Sequence, residues 1–189
     1  LNIFEDKGYN NCIYIPNSIE IKNYSILLKE YASIKLLWVR SFSRIYNPKM
    51  AIDVLKGIQN QGFKAELCMV GPEKDGSLSE TKKYAQNNNV NVIFTGKLSK
   101  EEWITLSKDY NVFINTTNFD NMPVSVLEAM ALGFPVVSTK VGGLTYMLTH
   151  KVNGLLVEPD QVNDMIAAIL LLIDDEKLRT DLSFEARKY

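Results

Sequence analysis

The chain has 189 residues, of which 46% are hydrophobic and 23% charged, and its formal net charge is −1. This composition is typical of one globular domain and excludes a general electrostatic attraction to nucleic acid or anionic membrane. A single histidine, His150, argues against a zinc site or a Ser-His-Asp centre within the chain. The longest apolar run, at residues 165–173, is too short to span a bilayer.

Near-continuous apolar runs predict the strands of a parallel sheet that is covered on both faces. They occupy residues 35–39, 65–70, 90–95, 111–115, 135–139 and 154–159. A shorter run, "NCIYIP" at residues 11–16, predicts an edge strand ahead of them.

Helical patterns lie between these strands. Asn47 and Pro48 predict the cap and first residue of one helix, and residues 77–88 predict a more exposed helix. Ser99 and Glu102 have the spacing of a capping box.

The second half of the chain continues the alternation. Residues 123–132 predict an apolar helix that Gly133 stops, and Asp160 is predicted to cap a helix that runs through Ile173. A charged helix is predicted from Asp175. Strands that alternate with helices predict an α/β fold with a doubly wound parallel sheet of about six strands, forming a single domain over residues 1–189.

Ligands of such sheets bind beyond the carboxyl ends of the strands. The residues that follow the predicted strands include cations, glycines and one carboxylate: Arg40, Arg44, Gly96, Lys97, Asp120, Gly142 and Gly143. This set suits an anion with polar hydroxyls beside it, and the helix from Pro123 offers free backbone N–H groups to phosphate. No GxGxxG follows a strand and no GxxxxGK[ST] occurs, so the motifs support neither a dinucleotide site nor a P-loop.

Glu128 is a carboxylate in the middle of a helix that is otherwise apolar almost all round, "VSVLEAMAL". A buried carboxylate needs a partner, because burying it alone costs several kcal/mol or forces it neutral. One interpretation is that Glu128 is satisfied locally and that Asp120, eight residues earlier, is a loop cap. The other is that both carboxylates bind a ligand.

The stretch "NFDNMPVSVLEAMALGFPVVSTKVGG" resembles the donor-site signature of the group 1 (family 4) retaining glycosyltransferases of GT-B fold. In that signature an acidic residue is followed, after seven residues, by Glu. "YIPNSIEI" is similar to the segment that opens the C-terminal domain of the family, and the likeness continues through "NGLLVEPDQVNDMIAAI". The resemblance covers nearly the whole chain. It implies a Rossmann-like, C-terminal nucleotide-sugar-binding domain from which the N-terminal acceptor domain is absent.

The resemblance implies that Asp120 contacts the donor sugar and that Glu128 binds the ribose hydroxyls, and these two are the candidate catalytic residues. The candidate donor-binding residues are Arg40, Arg44, Gly96, Lys97, Leu98, Asn121, Met122, Val124, Gly142 and Gly143. No cofactor or metal is expected, since the nucleotide diphosphate sugar is a substrate.

Tyr146 stands where the family has Glu after "GG-x-x", and the sequence departs from the family signature at two further places. Asp120 stands where Glu is usual, and "RSFSRIYNPK" replaces the usual basic motif. Because Arg40 directly follows an apolar strand whereas Arg44 lies further into a loop, Arg40 is predicted to be the main diphosphate cation.

The expected activity is transfer of a sugar from a nucleotide diphosphate sugar to an acceptor hydroxyl with retention, in cytoplasmic polysaccharide biosynthesis. Two alternatives stay open: a nucleotide-sugar epimerase of GT-B fold, and a non-catalytic nucleotide-sugar-binding module, which the departures at Asp120 and in the basic motif favour. The expected partners are the nucleotide-sugar donor and the missing acceptor domain, without nucleic acid or a transmembrane segment, and peripheral membrane contact of the full enzyme stays open. The start at Leu1 predicts a fragment that is inactive alone, and Cys12 and Cys68, without a spacing motif, predict a reducing compartment.

Overall fold

The computed structural model describes residues 5–9, 11, 13, 15–26 and 29–189, and within them six parallel strands form one sheet. Strands β1 to β6 are Ile34–Val39, Ala65–Val70, Ile93–Gly96, Val112–Asn115, Val136–Thr139 and Leu155–Val157. Their order is β3-β2-β1-β4-β5-β6, so the direction in which strands are added reverses between β1 and β4. The predicted fold class is confirmed, and the six main predicted strands are all present, with identical ends for β2 and somewhat different ends for the other five.

Helices alternate with the strands and cover both faces of the sheet. Helices α1 to α7 are Pro48–Asn60, Ser77–Asn87, Lys100–Leu106, Val124–Ala131, Leu144–Met147, Val162–Asp174 and Glu176–Lys188. Short 3₁₀ turns are formed by Ile21–Asn23, Arg44–Tyr46 and Ser107–Asp109. None of the helices in the described ranges is both long enough and apolar enough to cross a membrane.

Successive residues of the central strands pack into two separate cores. Leu36 and Trp38 of β1 belong to a core that contains residues of α1 and α6, while Leu37 between them belongs to a second core with Phe113 and residues of α4. All four of these side chains are at most 1% exposed. This two-sided burial is the reason that the strands read as continuous apolar runs rather than as alternating ones.

Two of the predicted helix ends are confirmed by their hydrogen bonds or backbone angles. At the start of α3 the Glu102 amide donates to Ser99 Oγ at 3.2 Å, and the Ser99 amide donates to Glu102 Oε2 at 2.7 Å, which completes the capping box. At the end of α4, Gly133 adopts a φ of +77°, a left-handed conformation that terminates a helix at low cost.

The prediction that Asp160 caps α6 is wrong. Gln161 occupies the N-cap position of that helix, and Asp160 has a φ of +59°. Its Oδ1 instead accepts a hydrogen bond of 2.7 Å from Nδ2 of Asn47, whose own side chain does not cap α1 although Asn47 occupies the N-cap position. Both residues are of the types that tolerate a left-handed backbone. Their side-chain hydrogen bond joins the starts of α1 and α6.

Two smaller differences concern the ends of the predicted elements. Pro123 is the N-cap of α4 rather than its first helical residue. The predicted edge strand at residues 11–16 includes Cys12 and Tyr14, which lie outside the described residues.

The capping box makes a first prediction. Ser99→Ala removes the acceptor of the Glu102 amide and should lower the free energy of unfolding by about 1 kcal/mol. Ser79→Ala, at an exposed position on α2, is the control and should stay within about 0.5 kcal/mol of the parent. Urea unfolding followed by circular dichroism measures both, and equal effects would mean that the box adds nothing to stability.

Candidate functional site

An ion pair lies where the strand order reverses. Arg40 directly follows β1 and Asp120 follows β4, and these two strands are direct neighbours. Nη2 of Arg40 contacts Oδ2 of Asp120, and the two side chains are only 19% and 10% exposed. The carboxyl ends of parallel strands at such a reversal form the crevice in which open α/β sheets bind their ligands. The structure thus brings two of the predicted site residues into contact there.

The Arg40 guanidinium has an aromatic neighbour and a free donor. Its Cζ lies 4.2 Å from the ring centroid of Tyr46, close enough for a cation–π interaction. Its Nε is buried without a hydrogen-bond partner among the described residues. Burial lowers the pKa of Arg40, and Tyr46 opposes that effect. The guanidinium still stays charged at neutral pH, because arginine is not deprotonated in proteins.

The loops after β1 and β4 are joined by the side chain of Thr116. Its hydroxyl lies 3.0 Å from the carbonyl oxygens of both Tyr46 and Asn47, and it accepts a hydrogen bond of 3.0 Å from Trp38 Nε1. The Asn118 amide adds a hydrogen bond of 2.8 Å to the Ile45 carbonyl. Thr116 was not predicted as a site residue from the sequence, although Thr116 and Thr117 directly follow the apolar run of β4.

Gly142 and Gly143 hold the loop that carries Asp120. The Gly143 amide donates to the Asp120 carbonyl at 2.9 Å. A Cβ on Gly143 would lie 1.4 Å from the Asn121 carbonyl oxygen, and a Cβ on Gly142 would lie 2.2 Å from the Asp120 carbonyl oxygen. Glycine is required here because two backbones touch. The structure therefore gives the pair a supporting contact with the loop, in addition to the donor-binding role predicted from the sequence.

Helix α4 begins beside this loop with its first amides uncapped. Its N-cap is Pro123, which provides no side-chain hydrogen bond, and the first backbone bond runs from the Val126 amide to the Pro123 carbonyl at 3.1 Å. The amide of Val124 comes before that bond along the chain, and Val124 is 40% exposed. Nδ2 of Asn17 donates to the Met122 carbonyl at 2.8 Å and so tethers the loop from the opposite end of the chain.

Glu128 is 7% exposed within α4, as the apolar pattern predicted for that helix. The Tyr24 hydroxyl donates to Oε1 of Glu128 at 2.6 Å, and Lys100 Nζ lies 3.5 Å from the same oxygen. Neither partner was identified from the sequence, because Tyr24 lies 104 residues away along the chain. The carboxylate is thus locally paired, which offsets part of the cost of burying it.

The remaining predicted residues lie at other points of the same edge. Arg44 is exposed, and its Nη2 pairs with Glu80 of α2 at 2.8 Å, so the structure does not bring it to Asp120. Gly96 has a φ of +74°, Lys97 is exposed, and Leu98 is half-buried against the second core. Gly96 ends β3, and Lys97 and Leu98 follow it. Strand β3 is two strands from β1, or about 10 Å at the usual spacing of strands.

The reversal of strand order in this six-stranded parallel sheet defines a doubly wound α/β domain, a class that binds its ligands beyond the carboxyl ends of the strands. The sequence profile described as "Glycosyl transferases group 1" matches residues 6–189, so the chain belongs to the group 1 glycosyl transferases.

Two curated relatives show how much of a longer protein the chain resembles. It is 26% identical over 187 residues to an uncharacterized glycosyltransferase of Methanocaldococcus jannaschii, covering 93% of this chain and 52% of that protein. It is 28% identical over 138 residues to the capsular polysaccharide biosynthesis glycosyltransferase CapM of Staphylococcus aureus, covering 72% of this chain and 36% of that protein. The chain therefore spans only part of the length of either relative.

Solved structures share the fold. Sucrose-phosphate synthase from Thermosynechococcus elongatus superposes with a TM-score of 0.84 at 20% identity, over 99% of this chain and 50% of that one. HepE of Anabaena in complex with UDP-glucose gives 0.73 at 21% identity, over 83% and 43%. The C-terminal domain of the group 1 family protein LpcC from Francisella tularensis gives 0.77 at 16% identity, over 90% and 95%.

The contact between the two backbones makes a second prediction. Gly143→Ala places a methyl group against the Asn121 carbonyl and should cost about 1–3 kcal/mol of unfolding free energy through overpacking. Gly96→Ala is the comparison: nothing lies within 4 Å of its Cβ, so only its left-handed backbone, at about 1–2 kcal/mol, opposes the change.

Stability alone does not separate the two glycine variants, so the readout is the position of the loop. Amide chemical shifts of residues 118–122 should move in Gly143→Ala and stay in place in Gly96→Ala. Unmoved shifts in the first variant would contradict the supporting role of Gly143.

Proposed function

We propose that this chain is the C-terminal, donor-binding domain of a GT-B glycosyltransferase, which transfers a sugar from a nucleotide diphosphate donor to an acceptor hydroxyl with retention. The observation that carries the proposal is the meeting of Arg40 and Asp120 at the reversal point of the sheet in a member of this family. A cation and a carboxylate side by side suit a ligand that has both phosphates and sugar hydroxyls.

The diphosphate is assigned to Arg40 and to the start of α4. Arg40 is a partly exposed guanidinium that directly follows β1, and the first amides of α4 have no capping side chain. A charged forked donor and a helix N-terminus both favour phosphate oxygens. The same groups would stabilise the negative charge that develops on the departing diphosphate, because they are held in place before the reaction begins.

The two carboxylates receive different parts of the donor. Asp120 lies next to Arg40 and is assigned to the donor sugar, and Glu128, about one turn inside α4, is assigned to the ribose hydroxyls. A carboxylate accepts hydrogen bonds from such hydroxyls without needing a proton of its own. The acceptor would be held by the domain that the resemblance places before this one.

Related proteins support this assignment. HepE of Anabaena, with the same fold, was crystallised with UDP-glucose, and the matched LpcC structure is a C-terminal domain. CapM of S. aureus is named for capsular polysaccharide biosynthesis, which agrees with a role in polysaccharide assembly. Membership of the group 1 glycosyl transferases, and relatives described as glycosyltransferases, favour a transferase over the epimerase and the non-catalytic module.

Nucleotide binding tests the proposal directly. Titration calorimetry with UDP, GDP and ADP should find at least one that binds, and Glu128→Gln should weaken that binding by about 1.5–3 kcal/mol, because a hydrogen bond to a charged group is lost. Glu101→Gln, at an exposed position on α3, is the matched control and should leave the affinity unchanged. An unchanged affinity in Glu128→Gln would contradict the assignment of the ribose to Glu128. Failure of all three nucleotides to bind would contradict the proposed donor site.

The two arginines make a separate prediction. Arg40→Ala should weaken a nucleoside diphosphate by about 1.5–3 kcal/mol and the bare nucleoside much less, since a charge-assisted contact to phosphate disappears. Arg44→Ala should cost less than half as much, because Arg44 is exposed and pairs with Glu80. A larger loss at Arg44, or equal losses for nucleoside and diphosphate at Arg40, would move the phosphate site along the loop.

A further inference from the structure

Glu128 has two polar contacts, and both use the same oxygen. The Tyr24 hydroxyl lies 2.6 Å from Oε1, and Lys100 Nζ lies 3.5 Å from it. Within the described ranges no hydrogen bond or ion pair to Oε2 is present. One oxygen of the carboxylate is therefore held by the protein, and the other is left for a ligand.

The two partners are themselves fixed by local structure. Tyr24 is 1% exposed, and its amide donates to the Ile21 carbonyl at 3.1 Å, at the end of a 3₁₀ turn. Lys100 is the first residue of α3, directly after the capping-box serine, Ser99. Lys100 Nζ also lies 4.9 Å from the centroid of the Tyr24 ring, so the three side chains form one cluster. We name this cluster the Glu128 clamp.

We propose that Tyr24 and Lys100 are positioning residues that orient the Glu128 carboxylate toward the ribose of the donor. The inference rests on the proposed function, since it assumes that Glu128 binds the ribose. A carboxylate on a flexible side chain loses rotamer freedom when it binds a ligand, and a carboxylate already held by two partners loses less. The clamp therefore contributes to affinity without touching the nucleotide.

The electrostatics of the clamp agree with this arrangement. Burial, followed by the hydrogen bond to Glu128, raises the pKa of Tyr24, so its hydroxyl keeps its proton and donates it. The hydrogen bond to Tyr24 and the nearby Glu128 carboxylate raise the pKa of Lys100, so the ammonium stays charged. Throughout the neutral pH range, Tyr24 therefore contacts the carboxylate as a neutral donor and Lys100 contacts it as a cation.

A ligand that lacks the ribose hydroxyls separates positioning from a general structural role. Tyr24→Phe should weaken binding of the best ribonucleoside diphosphate roughly tenfold, which corresponds to about 1.4 kcal/mol. It should leave the weaker binding of the matching 2′,3′-dideoxynucleoside diphosphate unchanged, because that ligand offers Glu128 no hydroxyls. Lys100→Met should show the same selective loss at a smaller size, since its contact is longer and more exposed.

Tyr31→Phe is the matched control. The Tyr31 hydroxyl donates to the Asn111 carbonyl at 3.1 Å, outside the clamp, so its removal should leave both ligands unaffected. Equal weakening of both ligands, or no weakening by either clamp variant, would overturn the inference. If Tyr24→Phe does not fold, Lys100→Met alone decides. If the unaltered chain binds no nucleotide, the proposed function itself fails, which is a different result from an unselective loss.

Discussion

The edge of the sheet at the carboxyl ends of β1 and β4 depends on one ion pair, in which the opposite charges of Arg40 and Asp120 are kept mostly out of water. Arg40 or Asp120 buried alone would carry a large desolvation cost, and removal of either partner leaves that cost uncompensated. The two loops that carry these residues must therefore keep a fixed position relative to each other. Thr116 and Asn118 join one loop to the other, and Gly143 supports the second loop from β5.

The two carboxylates of the site are paired in different ways. Asp120 is paired by a cation from the neighbouring strand, so its partner follows directly from the order of the sheet. Glu128 is paired by a neutral hydroxyl from the N-terminal segment and by the first residue of α3. Both carboxylates are therefore held by protein contacts before any ligand arrives, and such preorganisation limits the entropy that a binding group loses.

The fold was predictable from the sequence because its signals are local. Apolar runs such as the one in β1 need cover on both faces, and the Ser99 box lies within four residues. The site was predictable only in part. Glu128 stands out as a carboxylate in an apolar helix, and Arg40 and Asp120 stand out as charges after predicted strands. Tyr24, by contrast, comes from a segment 104 residues away that only the tertiary fold brings near Glu128. The wrong cap at Asp160 has a related cause: its side chain is used by the distant Asn47.

The contact of Gly142 and Gly143 with the Asp120 loop is made by backbone atoms on both sides. Side chains on that loop do not take part in the contact. The path of the loop backbone and the chemistry of its side chains can therefore change separately during evolution. Residues 118–122 can exchange their side chains while the carbonyls that touch the glycines stay where they are. The two glycines have no comparable freedom, because a Cβ on either one would meet a backbone carbonyl.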